Sequence, residues 1–261
     1  MIVYLSGLKS DYFDFVSQFK NFGVLASFAK PDLYFEYKDY GFEHILLDSG
    51  AYSVSTGKAK IDIDKYIEFL TSFDIKDGVN LDVISNGQKS FENWQYIQSK
   101  VNVMPVYHFN TDMSFLHKYC EKTKRVGLSA RVKGAQKTIK NYLDRIFPLY
   151  PDYEFHLFGC TSIPVLTQYP IYSCDSTSWM NGTRMGWVIT PYGNFFLNKN
   201  RDIPNDIELF LREKYNLLTK EEYATEYDFG VAINKVNIYE LNYLLCNRYV
   251  INNNSRVIEL F

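Results

Sequence analysis

Eight short runs rich in β-branched and aromatic residues recur before position 176, and amphipathic intervals separate them. They lie at Ile2–Ser6, Gly23–Ser27, His44–Asp48, Gly78–Val83, Val101–His108, Val126–Ser129, Glu154–Phe158 and Ile171–Asp175. The runs are continuously apolar and not alternating, the pattern of parallel strands covered on both faces. Ile63–Thr71, Phe91–Ser99, Met113–Lys122 and Thr138–Phe147 read as connecting helices, whereas Phe28–Phe42 is only loosely helical. Asp62 or Asp64 is the expected cap of the first of these helices, and Ser90 of the second. Strand and helix alternating in this way predict an α/β chain, a (β/α)8 TIM barrel, with an open doubly wound sheet as the competing arrangement. No GxGxxG or GxxxxGK[ST] follows any run, so the usual nucleotide fingerprints are missing.

Beyond Asp175 the pattern changes. Gly186–Thr190 and Asn194–Asn198 flank Pro191-Tyr192-Gly193 and predict a β-hairpin. Helices are expected at Asp206–Tyr215, at Glu221–Tyr227 behind a Thr219-Lys-Glu-Glu222 capping box, and at Ile238–Tyr249. No Gly/Ser/Pro linker or internal repeat intervenes. A single domain over 1–261 is therefore expected, with the barrel to about 185 and the hairpin and helices from about 186.

Cys120, Cys160, Cys174 and Cys246 are scattered without a CxxC pair, which argues against a local zinc site or a disulfide framework. His44, His108, His117 and His156 form no HxH or HxxxH pair, so no metal site is expected. MIVYLSGLKSDYFDF reads as a first strand and not as a signal peptide. No run approaches the length needed to span a bilayer, so a cytosolic protein without a membrane partner is expected. The net charge of −2 hides a segregation. Nine basic residues fall between Lys118 and Arg145 against only Glu121 and Asp144; eight acidic residues fall between Asp202 and Asp228 against three basic ones. A solvated helix face explains such a run simply, but it also suits a track for phosphates.

In a β/α barrel the chemistry sits where strands end. The third run, HILLDSGAYS, ends on Asp48; the fourth, GVNLDVIS, on Asp82; the fifth, NVMPVYHFN, on His108; the eighth, YSCDSTSW, on Asp175. A carboxylate set just behind an apolar run is poorly solvated and costs free energy unless it is paired or used. One such aspartate is commonly a cap or loop anchor; three on different strands point to an active site. Paired carboxylates suit chemistry at a sugar C1′, one attacking or stabilising the oxocarbenium-like carbon and the other moving protons. Gly50 and Gly159 allow close approach of a flat ring to backbone, and Tyr52, Tyr107 and Phe109 are candidates to stack on a base, although each aromatic also suits the core.

Between roughly Leu46 and Gly186 these segments resemble, in order, the tRNA-guanine transglycosylase superfamily. Leu47-Asp48-Ser49-Gly50-Ala51-Tyr52-Ser53 is similar to the family's DSGGFQ-type segment, and Asn80-Leu81-Asp82 to the strand that reads the guanine edge. Val126-Gly127-Leu128-Ser129 resembles its Gly-Gly-Leu loop, and His156-Leu157-Phe158-Gly159 its HLxG segment. Tyr172-Ser173-Cys174-Asp175-Ser176-Thr177 resembles the strand of the nucleophile, and Arg184 falls where the family places phosphate-binding arginines. The resemblance implies that Asp175 attacks C1′ of a guanosine nucleotide while Asp48 serves as acid and base. It implies base contacts from Asp82, His108, Gly127, Leu128, Ser49, Gly50, Tyr52 and Gly159, with His108 where bacterial enzymes commonly carry Gln. No cofactor is implied.

The family's C-terminal CxC…C…H zinc subdomain is missing, and DSGAYS replaces the Gly-Gly-Phe-Gln form. These departures are more like the phage and mobile-island branch that inserts 7-deazaguanines such as preQ0 into DNA, which requires a flipped or unpaired base. DNA is thus the expected partner, with Arg184, Arg131, Lys133 and Lys137 on its phosphates. tRNA is the alternative substrate, and a two-carboxylate glycoside hydrolase the alternative chemistry.

Overall fold

The computed structural model describes residues 1–129, 136–197, 203–217 and 220–247. The chain divides into two compact units, Met1–Leu8 with Lys20–Ser176, and Lys9–Phe19 with Thr177–Phe261.

The first unit is a mixed α/β body around a seven-stranded sheet in which every pairing is parallel. Its strands are β1 (Ile2–Ser6), β2 (Phe22–Ser27), β3 (Ile45–Asp48), β4 (Val106–His108), β5 (Arg125–Ser129), β6 (Glu154–Phe158) and β7 (Ser173–Ser176), in the spatial order β3-β2-β1-β7-β6-β5-β4. Adjacent residues such as Leu46 and Leu47, pointing to opposite faces, are both fully buried. That double burial is why the runs read as continuous apolar stretches. Each such leucine contributes about 1.5–3 kcal/mol of burial. Gly23, paired with Tyr4, leaves room for that ring: a Cβ there would sit 2.8 Å from Tyr4 and from His44 O.

Two expected strands are shorter than their apolar runs. Gly78–Val83 is not an extended ladder; Gly78 and Val79 make isolated parallel bridges to Leu47 and Met104. Val101–His108 contracts to β4 because Pro105 interrupts it, having no N–H to donate. Its carbonyl still accepts from Gly127 N at 2.8 Å.

Helices follow most strands. Asp32–Tyr40 orders the loosely patterned interval and stops at Gly41, left-handed at φ 95°. Ile63–Ser72 is capped by Asp62, which accepts from Asp64 N and Lys65 N. The next helix begins at Gly87 and is capped by Asn86, not Ser90, which is buried inside it. Met113–Cys120 and Gln136–Ile146 match their expected intervals closely.

In the second unit, Trp187–Thr190 (β8) pairs antiparallel with Gly193–Phe196 (β9), turning at Pro191-Tyr192. Its core gathers Val188 from the hairpin, Ile207 and Leu211 from the helix Asn205–Tyr215, Leu217 just beyond that helix, and Phe229, Ile233 and Val236 from the helix Glu226–Cys246. The last helix replaces the two expected at Glu221–Tyr227 and Ile238–Tyr249. Among the described residues between Asn216 and its start, a short 3-10 turn, Lys220–Glu222, precedes it, and its cap is Thr225, which accepts from Asp228 N. Thr219 of the expected capping box lies outside the described residues. The helix runs through Asn234 and Asn237 because both are buried and bonded: Asn234 to Thr183 and Tyr12, Asn237 to Ile189 N and Trp187 O. Tertiary bonds override their poor helix propensity.

Candidate active site

All three aspartates singled out at strand ends belong to the first unit, and the charges of Asp82 and Asp175 both act on Asp48. Asp48 ends β3, and its Oδ2 accepts from Gly50 N at 2.9 Å. That return of the backbone needs Gly50 at φ 87°, where a Cβ would also meet Ile61 Cδ1 at 2.7 Å. Burial pushes the Asp48 carboxyl up to about 7; the charge of Asp82 adds to this, and that of Asp175 more weakly, while the Gly50 N–H opposes them. A carboxyl poised there can give and take a proton near neutral pH. Ser49, fully buried beside it, has no hydrogen-bond partner for Oγ among the described residues.

Asp82 follows the bridged Gly78-Val79 segment. Its Oδ2 lies 2.7 Å from His108 Nε2 at the end of β4, and both side chains are buried. The backbone around Asp82 is held by the helix Gly87–Gln98. Ser90 Oγ bonds both Val83 N and Val83 O, Asn93 Nδ2 donates to Leu81 O, and Asn80 Nδ2 donates to Ser90 O. Ser90 is therefore the anchor of this loop. Asn80 Oδ1 is buried without a partner among the described residues. Asp82 Oδ1 likewise has no partner among them, so the carboxylate keeps accepting capacity beyond its histidine.

Asp175 sits within β7 and carries more contacts than either. Oδ2 accepts from Ser6 Oγ at 2.8 Å; Oδ1 accepts from Gly159 N at 3.0 Å and lies 3.4 Å from His156 Nε2. Gly159, just beyond β6, is left-handed at φ 68°, which turns its N–H toward the carboxylate. His156 is fully buried, and burial holds its imidazole below the ordinary range, so the ring is neutral at pH 7. Ser173 Oγ lies 2.9 Å from its Nδ1.

The other residues expected to contact base or phosphate occupy several parts of the chain. Gly127 and Leu128 lie inside β5; Leu128 is fully buried, and Gly127 N is taken by Pro105 O. Tyr107 and Phe109 belong to the core, Tyr107 donating to Thr111 O and Phe109 stacking on Tyr142 at 4.5 Å. Tyr52 is exposed on the short helix Ala51–Ser55. Arg184 belongs to the second unit and donates to Thr177 Oγ1. Arg131 and Lys133 lie outside the described residues, as does the side chain of Lys137. Within the basic stretch, Arg125 is paired with Asp77 at 2.6 Å, and Lys118 and Lys124 lie over aromatic rings.

Sequence reasoning missed Ser6, Ser173 and the anchoring role of Ser90, and it gave His156 no role. Ser6 carried a usable signal: it ends the first apolar run as Asp48 ends the third.

No model of a known protein family matches the chain, and neither does any curated protein. Among the described residues no group of three or more His, Cys, Asp or Glu is arranged to hold a metal ion, and no helix is long and apolar enough to cross a membrane.

Proposed function

We propose that the first unit is a closed eight-unit β/α barrel whose carboxylates perform glycosyl transfer at a nucleoside C1′. Closure is supported by the bridges Leu47–Gly78 and Val79–Met104, which lie between β3 and the residues leading into β4. One buried cluster moreover joins Tyr4, Leu46, Val79, Met104 and Val106. The class is thus a barrel glycosyl-transfer enzyme working with aspartates.

Within that class the reading is a guanine transglycosylase that exchanges guanine for a 7-deazaguanine such as preQ0 in DNA. The observation that carries it is the hydrogen-bonded setting of Asp175, which faces Ser6, Gly159 and His156, together with the charges of Asp82 and Asp175 acting on Asp48, a carboxyl raised to about 7. The DSGAYS, NLD, HLFG and SCDST segments add the family resemblance.

In the first step Asp175 attacks C1′, the C1′–N9 bond breaks, and protonated Asp48 gives its proton to the departing guanine. In the second, Asp48 takes the N9 proton of the incoming 7-deazaguanine, N9 bonds to C1′, and Asp175 leaves with its electron pair. Two displacements restore the β linkage. Asp82 accepts from the base N1–H and exocyclic amine, and His108 orients it.

The test is incorporation of labelled preQ0 and guanine into duplex DNA, single-stranded DNA and tRNA, by wild type and Asp175→Ala. Incorporation into DNA that the variant loses is the expected result. Incorporation into tRNA alone replaces the substrate, abasic product without incorporation replaces transfer by hydrolysis, and no reaction on any of them overturns the reading.

A further inference from the structure

We propose that Ser6 is a positioning residue that governs the release of Asp175 from its covalent sugar intermediate, while His156 and Gly159 hold the carboxylate's other oxygen in place throughout. The inference rests on Asp175 being the nucleophile, as above.

An ionised carboxylate only accepts hydrogen bonds, so each group facing Asp175 has to donate. The Ser6 hydroxyl and the Gly159 N–H do so directly. His156, neutral in its buried position, has a single N–H to offer. With Asp175 Oδ1 on one side and Ser173 Oγ on the other, the proton belongs on Nε2, since a bare nitrogen lone pair against a carboxylate is repulsive. Ser173 then donates to Nδ1, and β6 and β7 fix this geometry because His156 and Ser173 are register partners.

The two oxygens are therefore unequal. Among the described residues Oδ1 faces two donors and Oδ2 one, Ser6. Oδ2, with the larger free lone-pair capacity, is the oxygen that bonds C1′. Oδ1 becomes the ester carbonyl and keeps its donors. Oδ2 loses most of its strength as acceptor for the Ser6 hydroxyl when it becomes an ester oxygen and regains it when the carboxylate departs. The Ser6 hydrogen bond consequently stabilises the free anion over the intermediate. It restrains attack and assists departure, with electron pairs moving as in the two displacements above and no further reactant.

The test uses an end-labelled DNA oligonucleotide and the full chain. Protein–DNA adduct surviving denaturing electrophoresis is followed first without acceptor base and then after adding guanine. Losing one charge-assisted hydrogen bond should slow adduct release in Ser6→Ala about ten-fold, without a matching loss in adduct formation. The trapped fraction therefore rises, and Ser6→Thr, which keeps the hydroxyl, restores wild-type partitioning. A Ser6→Ala protein that slows formation and release equally, or alters neither, overturns the assignment. Should Ser6→Ala fold poorly, Ser6→Thr matching its partitioning, and not that of wild type, overturns it too. If wild type forms no adduct and exchanges no base, the reading of Asp175 as nucleophile falls and this inference falls with it. An adduct-forming wild type with unaltered partitioning in Ser6→Ala removes this inference alone.

Discussion

Asp48→Asn tests the electrostatics of the site without needing a substrate. Moving a carboxyl from 3.8 to about 7 corresponds to about 4 kcal/mol against its ionised form. Between those pH values the folded protein holds a proton that the unfolded chain has released, so this group makes wild-type stability fall as pH rises through the window. Asparagine does not titrate, and it can still accept the Gly50 N–H through its carbonyl. The variant should therefore gain on wild type from about pH 4 to about pH 7 and hold the gain above that. Four kcal/mol is a ceiling, because Asp48 keeps partial solvent access; about 1–2 kcal/mol at pH 8 is the working expectation. Urea denaturation of both proteins from pH 4 to pH 8 measures it, and since every other titrating group is shared, the difference reports Asp48 together with its coupling to Asp82 and Asp175. A stability difference as large at pH 4 as at pH 8 would refute the account of a carboxyl raised by burial and by its acidic neighbours.

Asp82→Asn should weaken discrimination of guanine from adenine in base competition, with little loss of melting temperature; unchanged discrimination removes Asp82 from base recognition. Gly159→Ala forces a β-carbon onto a φ of 68° and should cost about 1–2 kcal/mol while displacing the N–H that faces Asp175, so base exchange should fall further than thermal stability alone explains. Lys214→Met leaves the fully buried Glu240 without its ammonium partner, and burial already raises that carboxyl. The loss should reach ~2 kcal/mol at pH 8 and shrink at pH 5, where Glu240 can take a proton; equal losses at both pH values would contradict it.

The sequence exposed what repeats and concealed what depends on distant partners. β1, β6 and the helix from Ile63 were legible because local pattern and final environment agree there: apolar runs buried on both faces, and an aspartate at the cap. The Gly78–Val83 run was apolar enough to read as a strand, yet its backbone shortens to two bridges and then bends to deliver Asp82. The last helix is continuous where the sequence predicts two, because residues in the gap answer to distant partners: Asn234 and Asn237 are buried and bonded, and Gly230 is required where Thr183 approaches, a Cβ there meeting Thr183 Cα at 2.7 Å. At the site, Asp48, Asp82 and Asp175 stood out because a charge behind an apolar run is anomalous. Ser6 ends an apolar run as Asp48 does, but neither it nor Ser173 carries a charge, so each stands out less than an aspartate until its partner is known.

The Ser6–Asp175 bond joins residues 169 positions apart, and it lies along the seam where β1 meets β7. During synthesis at ~5–20 residues per second, the ribosome needs on the order of 10–30 s to make the chain between them. Through that interval β1 can pair with β2 but has an open edge on its other side, so the nucleophile's setting is completed only when β7 emerges. Aggregation during expression should accordingly respond to translation speed before Ser176, and a chaperone that shields unpaired strand edges should raise the yield of active protein more than it raises the stability of what has already folded.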